Sequence, residues 1–122
     1  MKIGIAYLGN DLTGLTRAGL LEGAKAAEAA GFDGLWYFDA IGRGHIHPDP
    51  LIALTLAASV TKNLEVGTCI LQVPLRQTVN LARSALTAHL FCEGRFSFGV
   101  ARARPKLTSS FPAWISTAAS RI

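Results

Sequence analysis

Leu64-Glu65-Val66-Gly67-Thr68-Cys69-Ile70-Leu71-Gln72-Val73-Pro74-Leu75-Arg76 is the stretch whose reading decides the fold. Val66, Cys69, Ile70 and Leu71 make an apolar, partly β-branched run with little room for a solvent face, the pattern of a strand buried on both sides. Pro74 lacks the N–H that a central ladder needs, so the strand stops before it. Helix-like segments flank the run, which makes it the buried strand of a βαβ unit. In parallel α/β sheets ligands sit beyond the carboxyl ends of such strands, so residues 68–76 are the first place to look for a bound small molecule.

Outward from this strand the same unit recurs. Residues 2–8 read as a first strand, followed by a Gly9-Asn10-Asp11 turn. Residues 16–30 carry a helical pattern with Leu20, Leu21, Ala24 and Ala27 on one face. Gly31 then Phe32 ends it: glycine takes the left-handed position and the next apolar residue folds back on the last turn. Residues 34–38 are a second strand, ending at Asp39. A polar, glycine-bearing loop leads to Asp49-Pro50, a helix N-cap with proline at the first helical position. That helix runs to about Thr61 and buries Leu51, Leu54 and Ala58. Beyond Arg76 the spacing predicts a third helix over 78–91 that buries Val79, Ala82, Leu86 and Leu90 and closes at Glu93-Gly94. Residues 95–100 are a fourth strand.

The strand centres, near Ile5, Leu35, Val66 and Phe98, are about 30 residues apart, the period of a sheet built one βα unit at a time. Four units fill residues 1–100, half of an eight-fold barrel; 122 residues cannot hold a complete one, which takes about 250.

Composition narrows the partners. Half the residues are hydrophobic and 16% are charged, so the chain is built to fold. The net charge of +4 lies entirely in the last 22 residues, as Arg102, Arg104, Lys106 and Arg121; residues 1–100 are neutral. A nucleic-acid face would put its charge on the folded elements, so no nucleic-acid partner is expected. The longest apolar stretch, residues 51–60, is too short to cross a bilayer, and residues 1–5 lead straight into a strand without a secretion signal. Cys69 and Cys92 make no disulfide framework or zinc spacing, and His45 and His47 lack a third ligand, so no metal is expected. The expectation is a cytoplasmic protein with reduced thiols.

Four motifs, in order and at matching spacings, carry a family resemblance. They are Gly31-Phe32-Asp33-Gly34-Leu35-Trp36; Asp49-Pro50-Leu51; Val66-Gly67-Thr68 followed by Val73-Pro74-Leu75-Arg76; and Glu93-Gly94-Arg95-Phe96 with Phe98-Gly99-Val100. Over about residues 1–100 the chain resembles the luciferase-like monooxygenases, oxidoreductases that use FMN or the deazaflavin F420 on a (β/α)₈ TIM barrel. The resemblance implies the first four βα units of such a barrel, with a flavin over the carboxyl ends of the strands. It also implies a non-proline cis peptide or bulge in the third strand, here at Cys69–Ile70, supporting the flavin ring. Asp39 matches a position that often carries an acid near the isoalloxazine or substrate; members with a histidine next have Ala40 here. Asp39, Thr68, Cys69 and Ile70 are therefore the cofactor-binding candidates, and no catalytic acid or base is assigned.

Each candidate has a plainer reading beside it. Thr68 either contacts a flavin or ends a strand, Cys69 is either site lining or a small buried residue, and Asp39 is either a site acid or a capping carboxylate. Arg76 either meets an anionic substrate group or is a surface charge, and Trp36 and Tyr37 read as barrel packing. Gly42-Arg43-Gly44 lacks the strand–glycine–helix context of a phosphate turn.

Residues 101–122 form an atypical basic tail without acids or a clear period. Its possible codons, read one base earlier, permit GASSTKADFQ, which looks like the continuation of family members. The expectation is a frameshifted, truncated family member. Arg102 then follows the fourth strand where some members bind phosphate, by accident of frame. A half-barrel leaves open edges and an unpartnered inner face, which favour self-association. Two functions stand: a flavin-dependent oxidoreductase acting on paired donors with reduced flavin, with or without molecular oxygen, or a non-enzymatic remnant or association module.

Overall fold

Helix signals, strand runs and turns fall into a repeating β–α order in the computed structural model, which describes residues 1–7, 16–40 and 47–102. The readings made on Gly9-Asn10-Asp11, Gly42-Arg43-Gly44, His45 and the tail beyond Arg102 lie outside the described residues.

Strand β1 (Gly4–Tyr7) leads to α1 (Arg17–Ala29), β2 (Gly34–Tyr37), α2 (Pro50–Ala58) and β3 (Glu65–Thr68). Then come β4 (Leu71–Gln72), a 3₁₀ turn over Val73–Leu75, α3 (Thr78–Phe91), β5 (Phe96–Ser97) and β6 (Val100–Ala101). The main sheet is wholly parallel in the order β1-β2-β3-β5, with Ile5, Leu35, Val66 and Phe96 in one row of the register. Sequential parallel strands separated by helices are the arrangement of a partial TIM barrel.

The helix ends follow local chemistry. Thr16 caps α1 by accepting from Gly19 N at 3.0 Å, and Asp49 caps α2 by accepting from Leu51 N at 2.9 Å. Gly31 takes φ +83° after α1, and Phe32 N returns to Ala27 O at 3.2 Å, so the helix closes as its sequence predicts. Helix α3 has the bounds the spacing predicts.

Alternation divides the sheet into two faces. Leu35, Tyr37 and Val66 pack outward into a core with Leu20, Ala24 and Ala27 of α1 and Ala53, Leu54, Ala57 and Ala58 of α2. Gly4, Ala6, Gly34, Trp36, Gly67 and Ser97 hold the opposite, inner-face positions. Trp36 lies flat across this face: a Cβ on Gly34 would come within 3.1 Å of its Nε1, and one on Gly4 or Gly67 would collide with the indole. Trp36 is thus packing, as its sequence context suggests.

Three sequence readings are corrected. The face of α3 expected to be buried is exposed, with Val79 at 70%, Leu86 at 61% and Leu90 at 63% exposure. Leu81 and Ala88 are the buried residues instead, packed with Leu51 and Leu71. This helix carries two apolar stripes, and the one that includes Ala85 and Ala88 faces α2 because small side chains let the helices approach. Helix α2 ends at Ala58 rather than near Thr61, because its last turn tightens to i→i+3 bonds, Val60 N to Ala57 O at 3.3 Å and Thr61 N to Ala58 O at 3.4 Å. Finally, the third and fourth strands are not continuous. Each breaks once, at residues 69–70 and 98–99, and the detached halves pair as a separate two-stranded ladder, β4 with β6.

Candidate functional site

The double break lies at the carboxyl end of the sheet, and Gly99 organises it. Its carbonyl accepts from Thr68 Oγ1 at 2.7 Å and from Leu71 N at 2.8 Å, bridging the gap in the third strand. A Cβ at Gly99 would strike the Thr68 carbonyl, so only glycine lets the two chains approach this closely. Between the bridged residues lies the Cys69–Ile70 peptide, which is cis. Cys69 N donates to Tyr37 O at 2.9 Å, tying the break to β2 as well. Thr68 and Leu71 are buried, whereas Cys69 and Ile70 are exposed, Ile70 at 47%. The result is a small apolar surface presented to solvent from a backbone held on both sides.

Asp39, just past β2, ties in from the other flank. Its side chain is 3% exposed, and its Oδ2 accepts from Gln72 N at 2.7 Å while its carbonyl accepts from Gln72 Nε2. The Arg76 guanidinium grips the same carboxylate with both terminal nitrogens, Nη1 to Oδ2 and Nη2 to Oδ1 at 3.0 Å. Nη2 also reaches Asp49 Oδ2 at 3.1 Å, at the cap of α2. These contacts hold Arg76 still more firmly protonated than usual: hydrogen bonding to Asp39 is the largest cause, opposed by burial and aided by Asp49.

The four residues singled out from sequence thus gather at one end of the sheet, with different roles open to each. Cys69 and Ile70 present surface. The Thr68 hydroxyl is already bonded to Gly99, and the Asp39 carboxylate to Arg76 and Gln72. Arg76, read from sequence as either a contact for an anionic group or a surface charge, is 16% exposed and joined to two carboxylates. The sequence reading singles out neither Gly99 nor, beyond its place in the 68–76 stretch, Gln72. A Phe-Gly-Val sequence gave the only hint of the first, and nothing in spacing points to a bond from Gln72 to a residue 33 positions away.

Other candidates lie elsewhere. Arg102 is exposed, and His47 is half-buried. Among the described residues no group of three His, Cys, Asp or Glu is placed to hold a metal ion, and no helix is long and apolar enough to cross a membrane.

Comparison with known proteins identifies the family and the fold. The sequence model of the luciferase-like monooxygenase family matches residues 1–111. One similar solved structure is the oxygenating constituent of 3,6-diketocamphane monooxygenase from the CAM plasmid of Pseudomonas putida, a type II Baeyer-Villiger monooxygenase in complex with FMN. It has a TM-score of 0.77 and 19% identity, over 89% of this chain and 31% of that one. The coenzyme F420-dependent tetrahydromethanopterin reductase of Methanopyrus kandleri has a TM-score of 0.67 and 25% identity, over 81% of this chain and 26% of that one. Monooxygenase RslO1 of Streptomyces bottropensis has a TM-score of 0.72 and 22% identity, over 96% and 36%. This chain therefore spans about a third of the length of the structures it matches. No curated protein matches it.

Proposed function

Because the chain belongs to the luciferase-like monooxygenase family, we propose that it supplies one wall of a flavin site in an oxidoreductase, with FMN or F420 over the carboxyl ends of its strands. The observation that carries this reading is the Cys69–Ile70 surface, exposed between buried neighbours where the ladder opens. Its chemistry fits a flat aromatic ring: uncharged, apolar, and fixed from behind by Gly99 and Tyr37. Cys69 and Ile70 would face the ring, while Thr68 and Asp39 complete the wall through the backbone they hold. When bound and reduced, such a cofactor supplies a hydride, or the electrons for a reaction with oxygen, to a small-molecule substrate. This chain's own residues position the ring and keep water from one face of it.

Titration of the purified chain with FMN and, separately, with F420 tests the reading. The expected result is retention of cofactor absorbance through desalting, with Cys69 protected from thiol reagents. Retention of neither cofactor, in any oligomeric state, overturns it.

The finer version is that this chain is a truncated family member acting in the cytoplasm. The acid-free composition of residues 101–122 supports the frameshift part of it. The nucleotide sequence decides the frameshift: an early stop in the preceding frame rejects it. The second reading, a non-enzymatic association module, draws on the exposed stripe of Val79, Leu86 and Leu90 and on the outermost strands of the sheet. Self-association without cofactor retention supports it; a monomer rejects it.

A further inference from the structure

Arg76 sits where three parts of the carboxyl end converge, and the bonds it makes trace a path to the exposed surface. Through Asp39 it touches the end of β2, and through Asp49 the cap of α2, so one side chain joins both ends of the connection between them. A further contact, Nη1 to Gln72 O at 3.4 Å, reaches the end of β4. Asp39 Oδ2 receives both the guanidinium and Gln72 N, so the orientation of this carboxylate fixes where Gln72 lies. Gln72 follows Leu71, whose N–H is bound to Gly99 O, and Leu71 follows Ile70.

The Cys69–Ile70 surface is thereby held from two directions. Gly99 holds it from the fourth strand, and Asp39 holds it from β2 by way of Gln72. Without its cation, Asp39 would keep a buried carboxylate facing Asp49 with no positive partner on it, and that carboxylate would turn toward solvent. We propose that Arg76 is a positioning residue that acts through Asp39 and Gln72 to set the Cys69–Ile70 surface against its ligand. The fork geometry matters as well as the charge, because the two terminal nitrogens occupy the two oxygens of one carboxylate; a lysine offers a single point charge.

The ligand-binding part of this inference rests on the flavin reading above, but the positioning part does not, and the experiment separates them. Arg76→Gln, Arg76→Lys and Asp49→Asn are compared with the unaltered chain in three measurements. These are the thermal midpoint, the rate at which Cys69 reacts with a thiol reagent without cofactor, and the dissociation constants for FMN and F420. Asp49→Asn removes one carboxylate partner while leaving an N-cap, so it keeps the comparison valid if Arg76→Gln fails to fold.

For Arg76→Gln the expected result is a changed Cys69 labelling rate in the folded protein. With it comes a flavin dissociation constant about tenfold weaker, the effect of losing one charge-assisted bond from the support. Arg76→Lys and Asp49→Asn should fall between it and the unaltered chain. If all variants label and bind as the unaltered chain does, or change only in thermal midpoint, the positioning role is overturned. If the unaltered chain binds neither cofactor, the flavin reading fails, while the labelling rates still decide the role of Arg76.

Discussion

At the amino ends of the strands three residues each spread their bonds over distant partners; at the carboxyl ends two acceptors each gather bonds from more than one donor. Asp33 accepts from Ile3 N through its carboxylate at 2.7 Å and from Glu65 N through its carbonyl at 3.0 Å, joining β1, β2 and β3. Glu28 Oε1 accepts from the N–H groups of Lys62, Asn63 and Leu64 at 2.7–3.2 Å. Arg95 donates to Ala58 O, Thr61 Oγ1 and Leu64 O. At the other end Gly99 O serves β3 and β4, and the Asp39 carboxylate serves β4 and Arg76. The first arrangement is redundant and closes turns. The second hangs an exposed segment on few atoms, so small changes there alter its position before they alter the fold. This is the division expected of a barrel, with stability at one end of the strands and chemistry at the other.

The largest test of this contrast is Arg95→Ala. Removing a guanidinium that satisfies three acceptors should cost about 3 kcal/mol of stability in a urea titration, while Cys69 in the remaining folded molecules labels at its normal rate. A changed labelling rate would mean the two ends are not separate. Gly99→Ala probes the opposite end. The collision with the Thr68 carbonyl should cost about 2 kcal/mol and markedly speed Cys69 labelling; unchanged labelling would remove Gly99 from its organising place.

Glu28 gives a smaller effect with a definite pH signature. Hydrogen bonds from the backbone of Asn63 first, then Lys62 and Leu64, together with the charge of Arg95, outweigh burial and hold its carboxyl below its ordinary 4.5. The folded chain therefore takes up this proton at lower pH than the unfolded one. The stability it contributes is complete above the ordinary value and is lost as pH falls through the depressed one. Glu28→Ala should cost about 1 kcal/mol at neutral pH, by analogy with a lost cap. Glu28→Gln should flatten the acid limb of stability against pH, and an unaltered limb would assign that dependence to another group.

The smallest test costs no stability. Burial pushes the Cys92 thiol up, keeping it protonated, and encloses it in the core, whereas Cys69 is exposed. One thiol should react in the folded protein and the second only on unfolding. Two fast thiols would show that Cys92 is not enclosed in the core it shares with Leu64 and Val66.

What the sequence discloses follows the same division. Caps such as Asp49-Pro50 and the Gly31-Phe32 closure are local chemistry, so α1, α2 and α3 can be located from their residues alone. The four strands follow from the repeat. The break of the third and fourth strands cannot be read this way, because its cause is a carbonyl about 30 residues downstream. The resemblance supplied the location of Cys69–Ile70, but Asp39 and Arg76 are 37 residues apart, and no periodicity links them. The buried face of α3 is not legible because two apolar stripes share one helix, and the choice between them depends on how close α2 comes.

Trp36 turns the inner face into an optical instrument. Its indole lies over Gly4, Gly34 and Gly67 on the side of the sheet away from the helices, and it is half-buried. In a Trp114→Phe variant, which leaves Trp36 as the single tryptophan, the emission colour therefore reports the wetness of the barrel interior: blue when other strands or a second copy dry that face, red when water reaches it. The chain carries its own gauge of barrel closure, readable through a dilution series without any added dye.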